Sequence, residues 1–404
     1  MAKLAINGGE PIRTKPFPTW PQLDPADIEA FESIYNSRRW GVGGTKVPEF
    51  AEQFATFQGA KYGVCVNSGT TALYVALKAA GVGPGDEVIT TAYTFQATIV
   101  AILMTHAVPV FVDTAPDSFL IDATKVEDAI TNKTKVILPV HIAGYPADLD
   151  TLVEIADKND IKLIEDCAQA HGAEWRGKGV GSWGDFGCFS FQTSKNLCAG
   201  EGGIILTNDR ELYERTWSIH NCGRTPPDAE FGNIEPFGTN FRMTEWQAAI
   251  LLSRLTRLEA EANYRHMNMR WLDGWFGEIP GIKVTPLDPR ATRGGCHGYK
   301  AILDSEEFEG ISRNTFINAM RAEGIPLGYW YNTPMYRAAF LSSHLFGCDN
   351  DYNDVHCAET EKICQSGLAL SQNVLLGNEE DMEDIIKSAA KIRRNVGELI
   401  ERNT

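Results

Sequence analysis

Asp166 and Lys195 are the residues of this chain whose types and settings could do chemistry together. Asp166 closes the apolar run Ile161-Lys162-Leu163-Ile164, which reads as a buried parallel strand, so its carboxylate is expected at the strand's carboxyl end, where α/β folds bind ligands. Lys195 follows Phe189-Ser190-Phe191-Gln192-Thr193-Ser194 and precedes the glycine-rich Gly200-Glu201-Gly202-Gly203. A carboxylate so placed can hold a pyridine nitrogen protonated, which makes the ring an electron sink. A lysine can hold the ring's aldehyde as a Schiff base until an amine substrate displaces it. Asp166 and Lys195 therefore read as one device, a site for pyridoxal phosphate, with Lys195 as both tether and proton carrier.

A phosphate needs its own cradle, and Asn67-Ser68-Gly69-Thr70-Thr71 offers one between a short strand and a helix. The free N–H groups of a first helical turn, its dipole and the hydroxyls of Ser68 and Thr70 all favour an anion. Simple N-capping by Ser68 or Thr70 would explain the segment standing alone. Beside Asp166 and Lys195 it reads as a phosphate site. Tyr93-Thr94-Phe95-Gln96 places an aromatic just past another strand. Core packing is the common fate of such a ring, but a flat apolar face against a pyridine would position it and exclude water. Gln169 can hydrogen-bond the phenolic oxygen of the same ring. His171, next to Gly172, fits either a substrate contact or a satisfied structural group.

With these motifs, the beginning Leu4-Ala5-Ile6-Asn7-Gly8-Gly9-Glu10-Pro11-Ile12-Arg13 and the stretch Gly238-Thr239-Asn240-Phe241-Arg242-Met243-Thr244-Glu245, the chain resembles the DegT/StrS (DegT/DnrJ/EryC1/StrS) family of pyridoxal phosphate-dependent aminotransferases. The likeness runs through most of the chain and is looser over the last hundred or so residues. It implies a fold like that of aspartate aminotransferase. It also implies that Gly69, Thr70 and Ser190 hold the phosphate, that Phe95 stacks on the ring, and that Asn240 reaches the phosphate of a neighbouring subunit in a homodimer with shared sites. The reaction implied is a two-half transamination, from glutamine or glutamate to a keto-sugar, nucleotide-linked or free, or to a keto-cyclitol. A dehydrating branch of the family carries histidine in place of the tethering lysine, and Lys195 argues against it. The predicted loops around Tyr331 and Arg224 are expected to line the acceptor side. Rival readings are a cofactor-binding regulator without turnover and a pyridoxal phosphate-dependent synthase acting on a carbocycle.

Composition bounds the rest. A length of 404 residues exceeds what one core usually supports, so two domains are expected, 1–260 with the N-terminal arm and the cofactor site, and 261–404. A net charge of -16 argues against nucleic acid or an anionic membrane as partner. Nine scattered cysteines without a Cys-x-x-Cys pair, and no leader after Met1, point to reduced thiols in a cytoplasm. The most apolar stretch, Ala97 to Met104, is too short to cross a bilayer. Gly41-Val42-Gly43-Gly44 lacks the context of a dinucleotide fingerprint, and the eight histidines are dispersed with no His-Glu-x-x-His, so neither a dehydrogenase nor a metal site is expected.

The elements that must position the site alternate along the chain. Strands are predicted at Gly63–Val66, Glu87–Thr91, Pro109–Val112, Lys135–Val140, Ile161–Asp166, Gly187–Phe191 and Gly203–Leu206, with helices starting at Thr70, Gln96, Asp122 and Asp148. This predicts an α/β fold, a mostly parallel seven-stranded sheet between helices. The helix after Gly69 is expected to end at Gly81. A helix from Glu245 to about Arg270 leads to a smaller C-terminal α+β domain, and Asn221 to Gly238 reads as an extended loop.

Overall fold

The computed structural model describes residues 3–232, 237–342 and 351–400. In chain order its strands are β1 (Tyr62–Val66), β2 (Glu87–Thr91), β3 (Val108–Val112), β4 (Thr134–Leu138), β5 (Lys162–Asp166), β6 (Glu174–Trp175), β7 (Lys178–Gly179), β8 (Phe186–Ser190), β9 (Gly203–Thr207), β10 (Ile282–Val284), β11 (Gly298–Leu303) and β12 (Gly367–Ser371). The helices used below are α1 (Pro25–Ser37), α2 (Lys46–Gln58), α3 (Gly69–Ala79), α4 (Gln96–Met104), α5 (Leu149–Asn159), α6 (Arg210–His220), α7 (Glu245–Phe276), α8 (Arg313–Ala322), α9 (Ala358–Ser366) and α10 (Glu379–Arg394).

The seven-stranded sheet has the order β1-β9-β8-β5-β4-β2-β3. Only β9 runs antiparallel to its neighbours. Because successive side chains of a strand point to opposite faces, Ile89, Ile137 and Leu163 join one core with Leu152 and Ile155 of α5, while Val88, Val136 and Ile164 join the other. Both faces are covered, which is why these strands read as continuous apolar runs. The same alternation sends the consecutive carboxylates of Glu165 and Asp166 to opposite sides of β5. That strand sits mid-sheet, between β8 and β4, so Asp166 emerges at its centre.

Gly81 follows α3 in the left-handed conformation, φ 82°, and donates its N–H to the Lys78 carbonyl, closing the helix as expected. The helix expected from Asp122 is instead two 3-10 turns, Ala123–Lys125 and Glu127–Ala129. Asp122 caps only the N–H of Thr124, and Ile130 is already extended as the chain turns into β4, so there is no length for an α-helix. The helix expected to end near Arg270 runs on to Phe276. It leads to the antiparallel sheet β10-β11-β12. The first residues pack on these C-terminal elements: the Ala5 N–H donates to Glu323, and Arg13 is paired with Asp381 and Asp384 at 2.7 and 3.0 Å.

Candidate active site

Asp166 is buried at the end of β5, and each carboxylate oxygen accepts one bond from the protein. Thr98 Oγ1 donates to Oδ2 at 2.8 Å, and the Ala168 N–H donates to Oδ1 at 3.1 Å. Burial pushes the carboxyl up from its ordinary range, while the two donors, Lys195 and His141 pull it back. Lys195 lies in the turn after β8, where its N–H donates to the Gln192 carbonyl. Its amine makes no hydrogen bond or ion pair among the described residues. Burial lowers it from 10.5 to about 8, with Asp166 opposing the shift. The next residue, Asn196, is buried and donates Nδ2 to the Gly295 carbonyl at 2.7 Å, pinning that turn to the segment that enters β11. The same segment also lies tight against the turn after β4, where residue 144 must be glycine: its φ is +83°, and a Cβ there would stand 2.6 Å from the Cys296 nitrogen.

The start of α3 is an anion corner. Ser68 caps the helix by accepting the Thr71 N–H at 3.1 Å, whereas the N–H groups of Gly69 and Thr70 have no acceptor among the described residues. Ser190 stands against them. A Cβ on Gly69 would lie 2.6 Å from Ser190 Cβ and 3.0 Å from its Oγ, so only glycine lets the strand end and the helix start meet here. Phe95 occupies the N-cap position of α4 and is 54% exposed, an aromatic residue left open to solvent. Gln169 accepts the Ala143 N–H on Oε1 at 2.6 Å and donates Nε2 to the Tyr331 hydroxyl at 3.1 Å. Tyr331 in turn takes its backbone N–H to the Tyr93 hydroxyl, and burial pushes its own phenol up. These residues suit pyridoxal phosphate: orphan N–H donors for a phosphate, a doubly held carboxylate with free lone pairs for a ring N–H, and an amine without a partner.

The structure corrects the expectation of a substrate contact for His171. Its ring is fully buried among Phe54, Phe189 and Phe191, and Nε2–H donates to the Ser190 carbonyl at 2.8 Å. Burial lowers it to about 3, so it stays neutral and acts as a prop under Ser190. Nor is Arg224 brought to Asp166 within one chain. It lines an edge cleft of about 890 Å³ along β1, with Arg242 and Gly41 to Gly44. Asn240 is exposed on the same edge, bridged to Asn221, in the strand-like segment whose Phe241 carbonyl accepts the Asn67 N–H.

Several residues escaped the sequence reading. Glu165 accepts N–H bonds from Gly181, Trp183 and Gly184 and from His141 Nε2, whose Nδ1 accepts the Ala147 N–H. Those lone pairs are committed to donors. Cys167, within 4.8 Å of the His141–Glu165 pair, is a buried thiol raised well above its ordinary range by burial, which makes it an inert filler. Thr94 and Thr98 carry a signal of their own, an i, i+4 spacing just past β2 that sets two hydroxyls on one side of a helix start.

Comparison with known proteins gives this geometry a lineage. Residues 21–389 match the DegT/DnrJ/EryC1/StrS aminotransferase family. The chain belongs to that family. It is an aminotransferase, and the family's transaminases depend on pyridoxal phosphate. It is 38% identical to a putative L-glutamine:3-amino-2,3-dideoxy-scyllo-inosose aminotransferase of Micromonospora echinospora, with 98% of each chain covered. It is 37% identical to an L-glutamine:2-deoxy-scyllo-inosose aminotransferase of Streptoalloteichus tenebrarius, covering 98% of this chain and 99% of that one. Among solved structures, 3-amino-5-hydroxybenzoic acid synthase superposes with a TM-score of 0.85 at 32% identity, covering 94% of this chain and 99% of the other. A putative sugar aminotransferase from Streptococcus pneumoniae, in its PMP form, superposes with a TM-score of 0.83 at 26% identity, covering 96% of this chain and all of that one. Within the family fold, no helix among the described residues is long and apolar enough to cross a membrane, and their cysteines form no disulfide.

Proposed function

We propose that this aminotransferase moves the amino group of glutamine onto the ketone of a cyclitol. The reading rests on one observation: the unpartnered amine of Lys195 beside a buried, doubly held Asp166, in a chain whose relatives of 33 to 38% identity are named for glutamine and deoxy-scyllo-inosose. When bound, pyridoxal phosphate supplies an aldehyde that takes up an amine and a ring that draws electrons from the neighbouring carbon. Lys195, whose buried amine is lowered to about 8, is the residue that would hold that aldehyde between turnovers. Its Nζ would take a proton from the donor's α-carbon in the first half-reaction and give one to the acceptor's former carbonyl carbon in the second. An amine lowered to about 8 suits both tasks near neutrality.

Asp166 keeps the proton on the ring nitrogen. Ser190, Ser68 and the N–H groups of Gly69 and Thr70 would hold the phosphate, Phe95 would shield the ring from water, and the remaining N–H of Gln169 Nε2 would be available to the phenolic oxygen. Tyr331, its hydroxyl accepting from Gln169, has its own proton free to donate to the acceptor. The partner's Asn240 completes the phosphate cradle in a homodimer, which would also carry the edge cleft and Arg224 of each chain toward the other's site. Residues 1–260 and 261–404 then act as the cofactor-binding and smaller domains, in a cytoplasmic enzyme. Incubation of the purified protein with pyridoxal phosphate, glutamine and a panel of keto-cyclitols and nucleotide-linked keto-sugars tests this. New amines, detected by mass, are expected from the cyclitols and not from Lys195→Ala protein. Amination of the nucleotide-linked sugars alone would overturn the acceptor class.

A further inference from the structure

We propose that Thr98, oriented by Thr94, is a positioning residue that fixes the Asp166 carboxylate for its bond to the cofactor's ring nitrogen, an inference that rests on the role of Asp166 given above. Both threonines are buried where the chain passes from β2 into α4. Their Oγ1 atoms are 2.8 Å apart, and Thr98 Oγ1 is 2.8 Å from Asp166 Oδ2. Proton counting gives this chain a direction. An ionised carboxylate has no proton, so Thr98 donates to it; a hydroxyl has only one, so Thr94 must donate to Thr98. The relay runs Thr94 to Thr98 to Asp166 and ends there.

A buried threonine of a helix ordinarily bonds back to its own helix, as Thr105 at the C-cap of α4 does by donating to the Ile102 carbonyl at 2.7 Å. Thr98 gives up that local bond and spends its only proton on a residue 68 positions away. The consequence is geometric. With Thr98 on Oδ2 and the Ala168 N–H on Oδ1, the plane of the carboxylate is set, and each oxygen keeps a lone pair for a further donor. Without Thr98 the group can rotate, and in a dry setting it gains a reason to take up a proton of its own. A rotated or protonated Asp166 no longer holds a ring N–H.

The test compares binding of pyridoxal phosphate with binding of its 1-deaza analogue, in which a carbon replaces the ring nitrogen, measured on cofactor-free protein. The unaltered protein should favour the true cofactor. Thr98→Val, which keeps the shape and removes the hydroxyl, should weaken pyridoxal phosphate binding roughly tenfold or more, the loss of one hydrogen bond to a charged group, and leave the analogue unchanged. Thr98→Ser should restore the preference, and Thr94→Val should reduce it to a smaller extent. Equal weakening of both ligands in Thr98→Val would mean that the threonine only packs, and an undiminished preference would mean that it does nothing for Asp166; either overturns the proposal. If the unaltered protein bound the two ligands equally, the assignment of Asp166 would fall and this one with it, so the two failures are told apart by the unaltered protein.

Discussion

The ionisation of Lys195 can be measured without any cofactor. An amine with its midpoint at about 8 is neutral in roughly one molecule in ten at pH 7, against roughly one in three thousand at the ordinary 10.5, a gain of about 300-fold in the form that attacks an aldehyde. The leading cause is burial, which penalises the ammonium, and the Asp166 carboxylate opposes it. Replacing Asp166 by Asn removes the opposing charge, so the midpoint should fall further below 8. The two nearby imidazoles stay neutral over this range, His171 lowered to about 3 and His297 also lowered by burial, and add no step of their own. Trace acetylation of cofactor-free protein between pH 6 and 11, with the Lys195 peptide quantified by mass spectrometry, gives the midpoint directly. A midpoint near 10.5, or one that rises in Asp166→Asn, would refute the electrostatic reasoning.

Gly69→Ala should cost about 1–3 kcal/mol in urea unfolding from overpacking against Ser190 and should weaken cofactor binding, because the new Cβ would have to sit 2.6 Å from Ser190 Cβ; unchanged affinity would disprove the cradle. Glu165→Ala should cost about 3–5 kcal/mol in the same assay, since three backbone N–H groups and His141 lose a buried acceptor, and a loss under about 1 kcal/mol would show that the network relaxes freely. Lys195→Ala and Asn240→Ala proteins, each inactive, should regain activity on subunit exchange, because a mixed dimer with a shared site holds one intact site; isolated mixed dimers should turn over at about half the normal rate. No recovery despite proven exchange would place Asn240 within its own chain's site.

The sequence by itself determined what depends on local pattern. The strand run ending at Asp166, the cap at Ser68 with Gly69 behind it, the closure of α3 at Gly81 and the spacing of Lys195 after Phe189-Ser190-Phe191 all follow from periodicity, turn chemistry and the residue types that a helix start accepts. Tertiary structure decided every relation between distant groups. No local pattern tells that Thr98 will donate to Asp166, or that Gln169 will meet Tyr331 162 positions later. His171 stands in the same short motif as Asp166, yet it is buried under Ser190 rather than open to substrate, because three phenylalanines from α2 and from the β8 strand and its end close around it. Glu165, adjacent to Asp166, was silent in the sequence, and the pleat alone sends it to the opposite face, where Gly181, Trp183 and Gly184 present their N–H groups. Elements come from neighbours along the chain, but hydrogen-bond partners come from whichever elements the core packs together, and that packing exists only once both faces of the sheet are covered.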